Sequence, residues 1–202
     1  MSAAEIDAAA AALRSGGLAV IPTDTVYGLA CDPESPEAVA RLSELKRRSL
    51  DQPIALVAAT VSVLLERLPE LVAQAALLDV LLPGPYTLVL ANPERRYPWL
   101  TGGHADTIGV RVPDVAGVAR ELLERVDMVA ATSANLHGGQ DPARVADLAP
   151  EMVEAATVLD GGELPGMPST VLDLTGTAPR VLREGAVPAH DALARVSAAL
   201  AE

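Results

Sequence analysis

Apolar positions along this chain recur at helical spacing in some stretches and in short unbroken runs in others, and the two kinds of stretch alternate. After Ser2-Ala3-Ala4-Glu5, which reads as a capping box, Ile6, Ala10 and Leu13 share one helical face, and Gly16-Gly17 stops that helix. Residues 18–21 then read as a short buried strand. Ser35-Pro36 supplies an N-cap with proline at the first helical position, opening a helix whose Val39, Leu42 and Leu45 line up and which ends at Lys46. A strand is expected at 53–57, and one or two helices at 60–82, interrupted near Pro69 and closed by Pro83-Gly84-Pro85.

Residues 86–90 and 107–112 are strand-like, Asp114 is read as the cap of a helix through Val126, and 128–131 is a strand. Asp141-Pro142 repeats the cap-plus-proline signal for another helix. Val158, 171–174 and 180–182 read as short strands, and 188–200 as a closing helix. Strands with intervening helices predict an α/β domain, and the closely spaced strands after Val158 make its sheet mixed rather than purely parallel. The longest irregular stretch lies between Asn92 and Thr107, long enough to expect a functional loop. No linker or composition break marks a second domain, so 1–202 is read as one.

Composition sharpens this picture. The 202 residues are half hydrophobic, yet Phe is absent and only one Trp and three Tyr occur, so Ala, Val and Leu must build the core. The formal charge of −12 argues against wholesale binding to nucleic acid or an anionic membrane, which needs a basic face. One cysteine, Cys31, excludes an internal disulfide and fits a reducing cytosol. No stretch approaches the ~18 apolar residues of a membrane span, and Glu5 and Asp7 replace the basic start of a signal peptide. A cytoplasmic protein without membrane contact is expected.

Against that acidic background, Lys46-Arg47-Arg48-Ser49 stands out. Such a run is ordinarily a solvated helix end, favoured there by the macrodipole; the other reading is a polyanion held at one point. Dinucleotide and P-loop glycine patterns, a zinc spacing among His104, His137 and His190, and a G-x-S-x-G elbow are all missing. What remains is polar residues in apolar strand and turn contexts. Thr107, Gly109 and Arg111 alternate onto one face of a strand, where Arg111 needs either an ion-pair partner such as Asp114 or an anion in a cavity. Ala131-Thr132-Ser133-Ala134-Asn135 ends a strand with hydroxyls and an amide, and Ser169-Thr170 and Arg183 add more of the same. If these converge, the inventory is one for phosphate electrostatics and positioning rather than proton abstraction.

The chain resembles the YrdC-like family of L-threonylcarbamoyladenylate synthases. The matching segments are PTDTVYGL (22–29), KRRS with Pro53 (46–53), PGPYTLVL (83–90), TIGVRVPD (107–114), TSANL (132–136), STVLDL (169–174) and RVLREG (180–185). They follow the family order and span nearly the whole chain. The resemblance implies an open twisted mixed sheet with flanking helices around a concave basic cavity, in the short single-domain form. It implies synthesis of threonylcarbamoyl-AMP and pyrophosphate from L-threonine, bicarbonate or CO2, and ATP with Mg²⁺, for threonylcarbamoyladenosine modification of tRNA. A threonylcarbamoyl transferase complex would be the downstream partner, with any tRNA contact weak or indirect.

By the same resemblance, Lys46 and Arg48 would be the catalytic cations. Arg48, Gln52, Thr107, Ser133, Asn135 and Arg183 would contact ATP, while Thr25, Arg111 and Ser169 would hold threonine. No resident metal is implied. Val57 and Val115 stand where family members commonly carry histidine, His137 where serine is common, and Gln52 where asparagine is common. Asp141 replaces a small hydroxyl residue near ATP, an unfavourable anion there unless it caps a helix.

Other residues have plainer readings. Cys31 is expected in the core, His104 on the surface or in a lid, and Tyr97 and Trp99 packing the long loop down. Tyr27 either packs or lines the pocket. Competing functions are a double-stranded RNA-binding module, disfavoured by the net charge, and a YrdC-like paralogue without synthase activity. Hydrogenase-maturation carbamoyltransferases contain a related domain together with extra domains.

Overall fold

The computed structural model describes residues 3–201. Nine strands form one sheet: β1 (Leu18–Ile21), β2 (Gly28–Cys31), β3 (Ala55–Ala58), β4 (Tyr86–Ala91), β5 (Thr107–Arg111), β6 (Met128–Ser133), β7 (Thr157–Val158), β8 (Thr170–Asp173) and β9 (Arg180–Arg183). Their spatial order is β7-β1-β2-β6-β3-β5-β4-β8-β9. The pairs β1–β7, β3–β5 and β4–β8 are parallel and the others antiparallel, so the sheet is mixed as expected.

Seven α-helices flank it: α1 (Ala3–Arg14), α2 (Pro36–Leu45), α3 (Val61–Arg67), α4 (Ala75–Leu81), α5 (Gly117–Val126), α6 (Pro150–Ala155) and α7 (Ala189–Ala199). Side-chain alternation shows what each sheet face does. On one face Val20, Leu29, Leu56, Val110, Leu88 and Leu172 run across the sheet into a single core with Leu42 of α2, Leu64 of α3, Leu78 of α4, Met152 of α6 and Val196 of α7. On the other face Ala19, Ala30, Val57 and Val129 pack beneath Ile6 and Leu13 of α1 and Leu122 of α5. That second cover stops at β3. Beyond it, the same face of β5, β4 and β8 presents Thr107, Gly109, Arg111, Thr87, Val89 and Val171 to a cavity. The fold thus leaves half of one sheet face without a helix, and the site lies there.

Several elements differ from expectation. Strand β2 has no counterpart among the expected elements: both its faces are covered, and its four residues Gly-Leu-Ala-Cys show no alternation. Strand β3 covers Ala55–Ala58 rather than 53–57. Asp114 does not cap α5, which starts at Gly117 after Ala116; instead the Asp114 N–H donates to the Asp24 carboxylate at 3.1 Å. No helix opens at Asp141-Pro142: a short 3-10 turn covers Val145–Asp147 and α6 begins at Pro150. The Pro142 carbonyl accepts from the Tyr27 N–H at 2.9 Å, so this segment is used to seat β2. Ser2 of the expected capping box lies outside the described residues.

The long loop after Asn92 is pinned rather than mobile. The Tyr97 hydroxyl donates to Glu34 at 2.9 Å, the Trp99 indole donates to the Pro33 carbonyl at 2.9 Å, and the two rings meet edge-on. His104 is exposed. Cys31 is fully buried, which pushes its thiol up to about 12 and leaves it inert in the core. Tyr27 also packs: its hydroxyl lies 2.7 Å from the Gly162 carbonyl and 2.9 Å from Asp160 Oδ1, which share its one proton, and burial raises it to about 12.

Candidate functional site

The basic run owes its arrangement to how α2 ends. The Arg47 N–H donates to the Glu44 carbonyl at 2.9 Å and the Arg48 N–H to the Ser43 carbonyl at 3.0 Å, with Arg47 in the left-handed region at φ 55. This is a Schellman closure, normally given to glycine at that position. It turns Arg47 outward, where it pairs with Glu151 on the surface, and turns Lys46 and Arg48 inward. The K-x-R spacing is the signature of that reversal.

Lys46 is 4% exposed. Its Nζ donates to the Ser133 carbonyl, to the Asn135 carbonyl at 2.7 Å and to Asn135 Oδ1 at 2.9 Å. The Ser133 hydroxyl donates to the same Oδ1 at 2.7 Å, and Asn135 Nδ2 donates to the Gly139 carbonyl at 2.6 Å. The end of α2 and the turn after β6 are therefore one hydrogen-bonded unit. Burial, reinforced by the nearby Arg48 charge and opposed by Asp141, lowers the Lys46 ammonium to about 8. Arg48 donates to Thr132 Oγ1 and the Pro53 carbonyl, each at 3.1 Å, while its buried Nε–H has no protein acceptor.

Around these residues lie two adjoining cavities. The first, about 240 Å³, has an apolar wall of Ala55, Val57, Val89 and Val171 and a polar side formed by Thr107, Arg111, Ser169 and Arg183. The second, about 320 Å³, is lined by Lys46, Arg48, Gln52, Asn135, His137 and Asp141 among others. Thr132, Ser133 and Arg183 belong to both walls, so they form the junction.

Arg111 is anchored rather than free. It pairs with Asp24, not with Asp114, and also donates to Thr25 Oγ1 at 2.7 Å. Thr25 is fully buried behind it, held by Thr23 Oγ1 at 3.0 Å, and lines neither cavity. The Arg111 Nε–H remains buried without an acceptor. Ser169 Oγ shares a hydrogen bond with Thr87 at 2.8 Å and accepts from Arg183 at 3.1 Å.

Nine of the ten residues expected at the site line one or both cavities; Thr25 lies behind the first wall, bonded to Arg111 and Thr23. Thr107, expected with the nucleotide group, lines the first cavity beside Arg111 and Ser169. Sequence reasoning gave Asp24 no role, although it fixes Arg111; its position in the Thr23–Thr25 turn was the available signal. Asp141 caps no helix; it stands on the second cavity wall, among the residues that the resemblance groups with ATP.

This geometry can be set beside known proteins. The family model for Sua5, YciO and YrdC proteins, described as "Telomere recombination", matches residues 11–185. The chain belongs to the Sua5/YciO/YrdC family. A threonylcarbamoyl-AMP synthase of Pyrococcus abyssi is 37% identical over 194 residues, covering 93% of this chain and 56% of that protein. A threonylcarbamoyl-AMP synthase of Xanthomonas axonopodis pv. citri is 39% identical over 143 residues, covering 69% of this chain and 75% of its own length. The crystal structure of P. abyssi Sua5 complexed with L-threonine superimposes with a TM-score of 0.80 at 35% identity, over 94% of this chain and 56% of that one. Relative to the Pyrococcus protein, then, this Sua5/YciO/YrdC chain spans little more than half the length. The matched residues include both cavities and the α2 closure.

Proposed function

We propose that this chain is an L-threonylcarbamoyladenylate synthase, forming threonylcarbamoyl-AMP and pyrophosphate from L-threonine, bicarbonate or CO2, and ATP. The observation that carries the reading is the meeting of two unlike cavities at Thr132, Ser133 and Arg183. One suits a small amino acid with a carboxylate and an apolar edge; the other suits a polyphosphate. The names of the Pyrococcus and Xanthomonas relatives, and the threonine complex of the former, support the same assignment.

In this reading the threonine carboxylate meets the Arg111 guanidinium where it lines the first cavity, with Ser169 beside it and Asp24 and Thr25 holding the guanidinium from behind. The threonine amine adds to CO2 and loses a proton, giving a carbamate. A carbamate oxygen then attacks the α-phosphorus, and the bond from phosphorus to the pyrophosphate oxygen breaks. Arg48, Gln52 and Arg183 hold the phosphates, while Thr107 meets the end of the nucleotide that passes the junction. Lys46, its donors already occupied, contributes charge and keeps the Ser133–Asn135 turn in place.

Mg²⁺ arriving with ATP would share the triphosphate charge. No group of three or more His, Cys, Asp or Glu among the described residues is placed to hold a metal ion. The product would pass to a threonylcarbamoyl transferase complex in the cytoplasm, with tRNA contact weak or indirect. No helix among the described residues is long and apolar enough to cross a membrane.

Incubation with ATP, Mg²⁺, L-threonine and bicarbonate tests the proposal. Pyrophosphate and the adenylate should appear only when threonine and bicarbonate are both supplied. ATP hydrolysis indifferent to both would sink it.

A further inference from the structure

Asp141 has the wrong sign for the wall on which it stands. It faces the second cavity with Lys46, Arg48 and Arg183, and among the described residues its carboxylate makes no hydrogen bond and has no cation within 4.0 Å. Neither ordinary use of a carboxylate after a strand applies: no helix begins there to be capped, and no ion pair is closed. The backbone that carries it is nonetheless held in place. Beside it the Pro142 carbonyl accepts from the Tyr27 N–H at 2.9 Å, the Ala143 carbonyl accepts from the Leu164 N–H at 2.9 Å, and the Ala143 N–H donates to Asp147 at 3.2 Å. Its field also reaches the cations: burial lowers both Lys46 and Arg183, and Asp141 opposes that in each.

A carboxylate on that wall is repulsive to a bare triphosphate. Beside a triphosphate carrying a divalent ion it is a hard oxygen donor of the kind such ions accept alongside phosphate oxygens and water. We propose that Asp141 makes this site selective for the metal-chelated form of ATP, repelling the bare polyanion and meeting the ion of the chelate directly or through water. The proposal rests on the ATP-dependent reading above and names the nucleotide species that site takes.

Equilibrium binding of ATP by calorimetry, without threonine so that no turnover occurs, provides the test. Each protein is titrated in excess Mg²⁺ and again with a chelator. The wild-type chain should bind the chelate roughly tenfold or more tightly than bare ATP, as expected for one charge at short range in a partly buried site. Asp141→Asn and Asp141→Ser should bring the two affinities within about twofold of each other, mainly by strengthening the bare form. Two results would overturn the proposal: a wild-type preference retained in both variants, or equal tightening of both forms, which would make Asp141 a mere counter-charge. If the wild-type protein binds ATP in neither form, the synthase reading falls as well; if it binds both and only the variants disagree, the role of Asp141 alone falls.

Discussion

Lys46 is the only lysine in the chain, and all three of its ammonium protons are engaged by the Ser133–Asn135 turn. Its value lowered from 10.5 to about 8 sets opposite slopes for stability and activity. Because the folded value lies below the unfolded one, the charged form weakens folding below pH 8, and that cost is relieved as pH rises from about 8 to 10.5. Activity should run the other way: kcat/KM for ATP should fall as pH rises through about 8, while the melting temperature does not fall in step. Lysine-selective isotope labelling gives one side-chain signal, whose titration should move to higher pH when ATP is bound. A flat rate profile from pH 7 to 9, or an unshifted titration, would contradict this. Arg111 and Asp24 form the other decisive pair, each side chain 10% exposed. Removing either partner leaves an uncompensated buried charge, costing about 3 kcal/mol. Urea denaturation of Asp24→Ala, Arg111→Ala and the double variant should show the double costing clearly less than the sum. Strict additivity would mean the pair is not coupled.

Among elements, β5 states the architecture most directly. Its Ile108 and Val110 enter the continuous core, while Thr107, Gly109 and Arg111 floor the cavity on the face that α1 and α5 leave bare. The nearest atoms to a Cβ at Gly109 would be Ala55 Cβ at 3.6 Å, Ala55 Cα at 3.7 Å and Thr87 Cγ2 at 3.9 Å, all ordinary contacts. Gly109→Val should therefore fold with a melting temperature at or slightly above wild type, since glycine weakens a strand by about 0.5–1 kcal/mol. The added methyls project into a cavity of about 240 Å³ and should strongly weaken threonine binding. Normal threonine affinity in a folded Gly109→Val protein would remove this cavity from the site. That alternation was legible in the sequence, as was the α2 cap, where Ser35 accepts from the Ala38 N–H at 3.1 Å. Strand β2 was not: like β1 it is buried throughout and shows no alternation, but where β1 is a run of Leu, Ala, Val and Ile, β2 opens on Gly28 and lacks β-branched residues. Asp114 and Asp141 misled for a related reason: cap signals are local, whereas the Asp114 N–H is taken by distant Asp24 and the Pro142 carbonyl beside Asp141 by distant Tyr27. The site residues were grouped by resemblance; their division into two cavities, and Thr25 lying behind Arg111, needed the third dimension.

At the scale of the whole molecule, the distribution of charge decides what the cations can serve. Of 15 Lys and Arg against 27 Asp and Glu, most arginines outside the cavities are tied to carboxylates, as in Arg47–Glu151, Arg95–Asp106, Arg96–Glu70 and Arg144–Glu163. Lys46, Arg48 and Arg183, by contrast, have no carboxylate within 4.0 Å among the described residues, and all three line the second cavity. Among the described residues Arg14, Arg41 and Arg195 are also without a carboxylate partner but lie singly on the surface, so the one concentration of uncommitted positive charge is the concave site. Duplex recognition demands the reverse, cations spread along a face so that each phosphate contact releases a counterion and log K falls with log salt at a slope of about −0.9 per contact. Titration with double-stranded RNA at salt from 50 to 200 mM should accordingly give no dissociation constant tighter than about 10⁻⁶ M and no steep salt slope. The same titration with ATP and Mg²⁺ should show saturable binding that Arg48→Ala removes, because that guanidinium sits in the cavity rather than on a surface. Sub-micromolar RNA binding with a slope of six or more contacts would require a basic surface that this charge arrangement does not provide. It would restore an RNA-binding function to a protein whose cations otherwise converge on one small polyanion.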